Sequence, residues 1–179
     1  MTLDEVALAV SEHSAAHAVI TGGEPMLALQ RGELCERIRD MDKHITIETA
    51  GTVFQDVECD LMSISPKLAN STPTLERGGT WRGRHEATRH RPEVIRRLIQ
   101  RHVYQLKFVV DVPGDLVDID IYLAEFPEVS PTRVWLMPQG IEVNELQKRE
   151  AWLEPHCAQR GFHLCPRKHI EWYGNVRGT

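Results

Sequence analysis

Five short apolar runs, HAVIT (17–21), HITIET (44–49), CDLMSIS (59–65), YQLKFVV (104–110) and RVWLMP (133–138), are separated, except between HITIET and CDLMSIS, by stretches that include apolar residues at helical spacing. This alternation constrains the fold more than any other feature. Strands joined by helices pair in parallel through right-handed crossovers, which gives an α/β architecture. An open doubly wound sheet and a barrel or partial barrel both satisfy the pattern, and both bind ligands at the carboxyl ends of the strands.

The intervening segments carry their own signals. Thr2 and Glu5 form a capping-box pair ahead of Leu3, Val6 and Val10, so the chain is expected to open with a helix. Pro25 suits the first turn of a second helix running to about Met41, with Leu34, Ile38 and Met41 inward. Pro92 opens another, with Val94, Ile95, Leu98 and Ile99 inward, and Asp115 is placed to cap the segment containing Leu116, Ile119 and Leu123. VNELQKREAWLEPHCAQR reads as a helix kinked by Pro155 and ended by Gly161, followed by a further strand and an irregular tail in GFHLCPRKHIEWYG. Leu68 to Arg91 lacks periodicity and reads as a long surface loop; its His85, His90, Arg77, Arg82, Arg84, Arg89 and Arg91 fit a solvated loop better than an anion-binding lid. Trp135, Trp152 and Trp172 read as core or edge packing.

With 179 residues, 41% of them hydrophobic, a single domain over 1–179 is expected, with a distinct C-terminal tail from about 161. A net charge of −5 gives no footprint for nucleic acid, and no apolar run is long enough to span a bilayer. The first residues carry no basic n-region or cleavage site, so a cytoplasmic protein is expected. Cys35, Cys59, Cys157 and Cys165 are dispersed, as buried reduced thiols are, and form no close metal-binding motif.

Polar residues gather where the strands end: Thr21-Gly22-Gly23-Glu24, Glu48-Thr49-Ala50-Gly51-Thr52, Ser65-Pro66-Lys67 and Pro138-Gln139-Gly140. Lys107 alternates with Leu106 and Phe108 and so points to the opposite face. Each residue alone has an ordinary explanation: a tight turn, a helix cap, a solvated cation. Together, half-buried charges at one end of a parallel sheet need partners, and a polar ligand supplies them. In VITGGEP the missing Cβ atoms let the backbone approach such a ligand, and Glu24 can pair with a cationic group on it. A metal-dependent hydrolase built on Glu24, Glu48 and His169 is a weaker alternative, because their spacing shows no close ligand set.

ITGGEPML resembles the Gly-Gly-Glu element of the radical S-adenosylmethionine (SAM) superfamily, and IETAGT, SISPKLANS, QLKFVV, LMPQG and KHIEWYGNVRGT together resemble the 7-carboxy-7-deazaguanine synthase family within it. The resemblance covers nearly the whole chain. It implies a partial (β/α) barrel of the radical SAM type, in which cleavage of SAM starts a ring contraction of 6-carboxy-5,6,7,8-tetrahydropterin to 7-carboxy-7-deazaguanine. That reaction, a carbon–nitrogen lyase step, belongs to queuosine and deazapurine biosynthesis. By the same resemblance Gly22, Gly23 and Glu24 hold the SAM amino group, Ser65, Lys67 and Gln139 surround the rest of the cofactor, and Thr21, Glu48 and His169 contact the substrate. A [4Fe–4S] cluster, Mg2+, a flavodoxin- or ferredoxin-type reductant and a homodimer are implied too.

The chain opens at TLDEVALAV with no C-x3-C-x2-C motif, so the fold is expected to lack its first strand and cluster loop and to be inactive alone. A fragment or mis-started product of a working enzyme is the preferred explanation. Half of a two-chain enzyme and a noncatalytic SAM- or pterin-binding relative are the alternatives.

Overall fold

The computed structural model describes residues 2–72, 79, 83 and 87–176. They divide into two compact units, Met1–Ser65 with Arg91–Gln105, and Pro66–His90 with Leu106–Thr179. Arg77, Arg82, Arg84 and His85 of the long loop lie outside the described residues.

In the first unit α1 (Leu3–Ser11) starts from the expected capping box: Glu5 N–H donates to Thr2 Oγ1 at 3.2 Å and Thr2 N–H to Glu5 Oε2 at 2.7 Å. Strands β1 (His17–Ile20), β2 (His44–Thr49) and β3 (Leu61–Ile64) pair in parallel, with His17 opposite His44 and Thr46 opposite Leu61. Ile45 and Ile47 alternate inward from β2 as their spacing requires. Helix α3 (Pro92–Arg101) adds Ile95, Leu98 and Ile99 to the core, with Pro92 in its first turn, where a missing N–H costs nothing.

The single helix expected from Pro25 to Met41 is instead two pieces. A 3-10 turn over Pro25–Leu27 comes first, the backbone goes extended at Ala28 (ψ 124°), and α2 begins afresh at Arg31–Arg39. Leu29, 97% exposed, has no core contact to hold a helical turn there.

In the second unit β4 (Tyr104–Val110, which enters this unit at Leu106), β5 (Val134–Pro138) and β6 (His163–Leu164) pair in parallel, with Leu106 opposite Val134 and Trp135 opposite His163. Leu106, Phe108 and Val110 are buried while Lys107 between them is half-buried, the alternation expected of it. Phe108, Tyr122 and Phe126 form an aromatic cluster with centroids 5.4 and 5.1 Å apart. Helix α4 (Asp115–Ala124) corrects one expectation. Gly114 is its N-cap residue, and the buried Asp115 carboxylate reaches back to accept from Asp111 N–H (2.7 Å) and Val112 N–H (3.1 Å), bracing the loop before the helix.

Helix α5 (Val143–Arg160) carries Pro155 inside and ends at Gly161, whose φ of 70° is the left-handed closure glycine allows. The tail expected to be irregular contains a short helix, α6 (Lys168–Tyr173), anchored by buried Ile170. Trp172 is 68% exposed rather than packed, whereas Trp135 stacks on His163 at 4.4 Å. His90, read as part of a solvated loop, packs on Tyr122 and pairs with Glu125 at 3.0 Å. Among the described residues no helix is long and apolar enough to cross a membrane.

Candidate functional site

In the first unit the chain leaves β1 through Thr21-Gly22-Gly23-Glu24. Gly22 and Gly23 have φ of 98° and 57°, and a Cβ added at either would meet nothing within 4 Å. Packing therefore does not demand glycine here; the backbone conformation does, and the turn stays open to an approaching group. Thr21 Oγ1 donates to Glu48 Oε2 at 3.3 Å, which brings together two residues expected to touch the substrate, one after β1 and one in β2.

Glu24 is far more engaged than its sequence position suggests. Its Oε1 accepts from Met26 N–H (3.1 Å) and Thr49 Oγ1 (2.7 Å), and its Oε2 accepts from Ala50 N–H (3.0 Å). Thr49, only 2% exposed, in turn accepts from Gly51 N–H at 3.0 Å. One carboxylate thus ties the GGEP turn to the end of β2. A carboxylate offers about four acceptor sites, so three protein bonds leave Oε2 able to take one more donor. That capacity fits a ligand ammonium of the SAM type. A cavity of about 280 Å3, lined in part by Thr21, Gly22, Glu24 and Arg31, adjoins the turn. Ser65 follows β3, and its N–H donates to Thr49 O at 2.7 Å.

In the second unit Lys67 and Gln139, both expected to face the cofactor, line one cavity of about 210 Å3 together with Leu68, Asn70, Val109 and Asp111. Arg89 Nη1 donates to Lys67 O at 3.2 Å, holding the backbone of that residue. The Gln139-Gly140 turn is held by two guanidinium groups. Arg149 donates to Gln139 O, and Arg167 Nη1 donates to Gly140 O at 2.9 Å. His169 lies exposed on α6. Asp111 and Arg149 were not singled out in the sequence. The one signal available was the place of Asp111 directly after a strand.

The four cysteines do not fit an iron–sulfur cluster. Burial raises the thiols of Cys35, Cys59 and Cys157, with Cys59 pushed up to about 12 and Cys157 to about 11. Cys35 and Cys59 belong to the first unit and Cys157 and Cys165 to the second. Among the described residues no three His, Cys, Asp or Glu side chains gather as metal ligands. Anaerobic reconstitution of these 179 residues with iron and sulfide is expected to give no stable [4Fe–4S] absorption; a stable band would mean that these thiols do ligate iron.

No protein-family model matches the chain. The 7-carboxy-7-deazaguanine synthase of Rhodopirellula baltica is 40% identical over 179 residues, which are 99% of this chain and 69% of that protein. The synthase of the same name from Halobacterium salinarum is 35% identical over all of this chain and 74% of its own length. A crystal structure of QueE from Escherichia coli shares the fold, with a TM-score of 0.63 at 22% identity over 93% of this chain. The likeness spans 64% of that QueE chain, a little under two thirds of it. The α/β class read from the strand–helix alternation is borne out by this match and by the parallel pairing within each unit. On the strength of the 40% identity across more than two thirds of a curated relative, the chain belongs to the 7-carboxy-7-deazaguanine synthase family.

Proposed function

We propose that the chain carries the cofactor- and substrate-binding part of a 7-carboxy-7-deazaguanine synthase, which converts 6-carboxy-5,6,7,8-tetrahydropterin to 7-carboxy-7-deazaguanine in queuosine or deazapurine biosynthesis. The observation that carries this reading is the Thr21–Glu48 hydrogen bond beside the open Gly22-Gly23 turn, in a chain 40% identical to such a synthase. Glu48 suits the N–H-rich edge of a pterin, because a carboxylate accepts from adjacent donors. Thr21 holds one Glu48 oxygen in place. Glu24, through its remaining acceptor capacity, and the backbone of Gly22 and Gly23 would hold the amino group of SAM, with Ser65, Lys67 and Gln139 around the rest of it. His169 is a further substrate contact in this reading.

SAM, when bound, supplies the hydrogen-abstracting radical chemistry. What these residues contribute is binding, orientation and a pocket whose polar groups are satisfied. The cysteines of this chain are not gathered as ligands of a [4Fe–4S] cluster. Mg2+, a flavodoxin- or ferredoxin-type electron donor, a homodimeric state and a cytoplasmic setting accompany the same reading.

Glu48→Gln tests it. Replacing a charged acceptor by an amide removes a charge-assisted bond of about 1.5–3 kcal/mol, so calorimetry should show pterin affinity falling about 10- to 100-fold. SAM affinity should stay the same. Unchanged pterin affinity in Glu48→Gln would remove Glu48 from the substrate site.

A further inference from the structure

The first residues of β1 and β2 are both histidines, and the parallel register sets them side by side, His17 opposite His44. Their ring centres are 4.9 Å apart and their planes meet at 43°, so the rings are not stacked face to face. His17 is exposed; His44 is half-buried, and its Nδ1 is shut off from solvent with no hydrogen-bond partner. Side chains alternate along a strand, so His44 shares a face of β2 with Glu48 but stands four residues before it, about 13 Å away. The pair is therefore separate from the substrate contacts proposed above.

Two imidazoles at this separation have the spacing of a chelate. A transition ion binds a ring nitrogen at about 2.0–2.1 Å, which puts it about 3.2 Å from the ring centre. Rings with centres 4.9 Å apart then subtend about 100° at the ion, between the right angle of a square-planar site and the tetrahedral angle. Lys43, the cation next to His44 in the chain, is already committed: its ammonium donates to His13 O at 2.7 Å and to Ala15 O at 2.6 Å. Among the described residues no third His, Cys, Asp or Glu joins the pair, so water would complete the coordination.

The donors select the ion. Imidazole nitrogen suits Cu2+, Ni2+ and Zn2+, whereas Mg2+ and Ca2+ want oxygen. We propose that His17 and His44 form a two-histidine site for a divalent transition-metal ion, which clips β1 to β2. The clip falls where pairing is thinnest: β1 is four residues long and, among the described residues, pairs with β2 alone. This site does not depend on the cofactor reading.

Calorimetry of the 179-residue chain with Ni2+, and separately with Mg2+, tests it. Ni2+ should bind at one site and Mg2+ should give no binding heat. His17→Asn, an exposed position, and His44→Asn should each weaken Ni2+ binding about 100-fold, because a second tethered ligand is worth that much or more. The double variant should lose little beyond either single one, since one missing imidazole already ends chelation. Saturating Ni2+ should raise the urea midpoint of the unaltered chain and leave that of His17→Asn where it was. If the unaltered chain binds Ni2+ no more tightly than His17→Asn, or binds Mg2+ equally well, there is no such site. Losses that simply add in the double variant would mean two separate single-histidine contacts, and would overturn the proposal too.

Discussion

Glu24→Ala is expected to destabilise the protein by about 3–5 kcal/mol, a large share of the roughly 5–15 kcal/mol that holds a domain folded. The cause is the set of donors the substitution strands. Thr49 is 2% exposed and Met26 is fully buried, so their groups have little access to water when the carboxylate disappears, and Ala50 N–H loses its acceptor as well. Each buried unsatisfied group costs about 1–3 kcal/mol, and the three are coupled through one carboxylate, so their sum is an upper bound. Glu24→Gln keeps one carbonyl acceptor and should lose only about 1–2 kcal/mol. Urea unfolding of the two variants measures both effects. A loss below about 1 kcal/mol for Glu24→Ala would show that the bonds to β2 do not hold the GGEP turn. The same comparison separates fold from binding: under the proposed function Glu24→Gln, still folded, should bind SAM more weakly, because the proposed ammonium contact loses its anionic partner.

Gly51→Ala should cost about as much for a different reason. Gly51 is buried at φ 72°, a conformation that costs an L-residue about 1–2 kcal/mol. An added Cβ would overlap Ile95 Cδ1 and stand 2.9 Å from Ile64 Cγ2, and both isoleucines are almost fully buried. Overpacking of this kind costs a further 1–3 kcal/mol or so, giving about 2–5 kcal/mol in all. The expected result is a lower urea midpoint with an unchanged denaturant slope. Adding Ile95→Val, which deletes the overlapping Cδ1 atom, should restore part of the loss. A Gly51→Ala chain within about 0.5 kcal/mol of the unaltered one would contradict this packing.

These two positions show how far a linear reading reaches. The GGEP turn and the end of HITIET are each legible from their residues, because paired glycines and polar residues after a β-branched run are local signals. That Glu24 spans from one to the other is not local: Thr49 and Ala50 are 25 and 26 residues away, and only the parallel pairing of β1 with β2 brings them within reach. Lys107 is the opposite case. Its half-buried place between buried Leu106 and Phe108 follows from the period of two that any strand imposes.

The segments that depart from the expected pattern do so for separate reasons. Pro25 to Met41 has helical spacing throughout, yet the Glu24 carboxylate that caps Pro25–Leu27 is also bonded to β2, and the chain turns extended at Ala28 before α2 begins. Asp115 has the composition of a helix cap, but its carboxylate finds two N–H groups in the preceding loop. In KHIEWYG a six-residue helix buries Ile170 on one face and leaves Trp172 exposed.

From the chain alone came the strand–helix alternation, the inward faces of β2 and β4, the capping box and the polar residues after each strand, since all of these depend on neighbours a few positions apart. Only the folded molecule decided which donors occupy Glu24, that Thr21 meets Glu48, and that Arg149 joins Asp111 to the Gln139 turn. Hydrogen bonds between residues ten to forty positions apart are set by strand order and helix placement, and no local pattern records them.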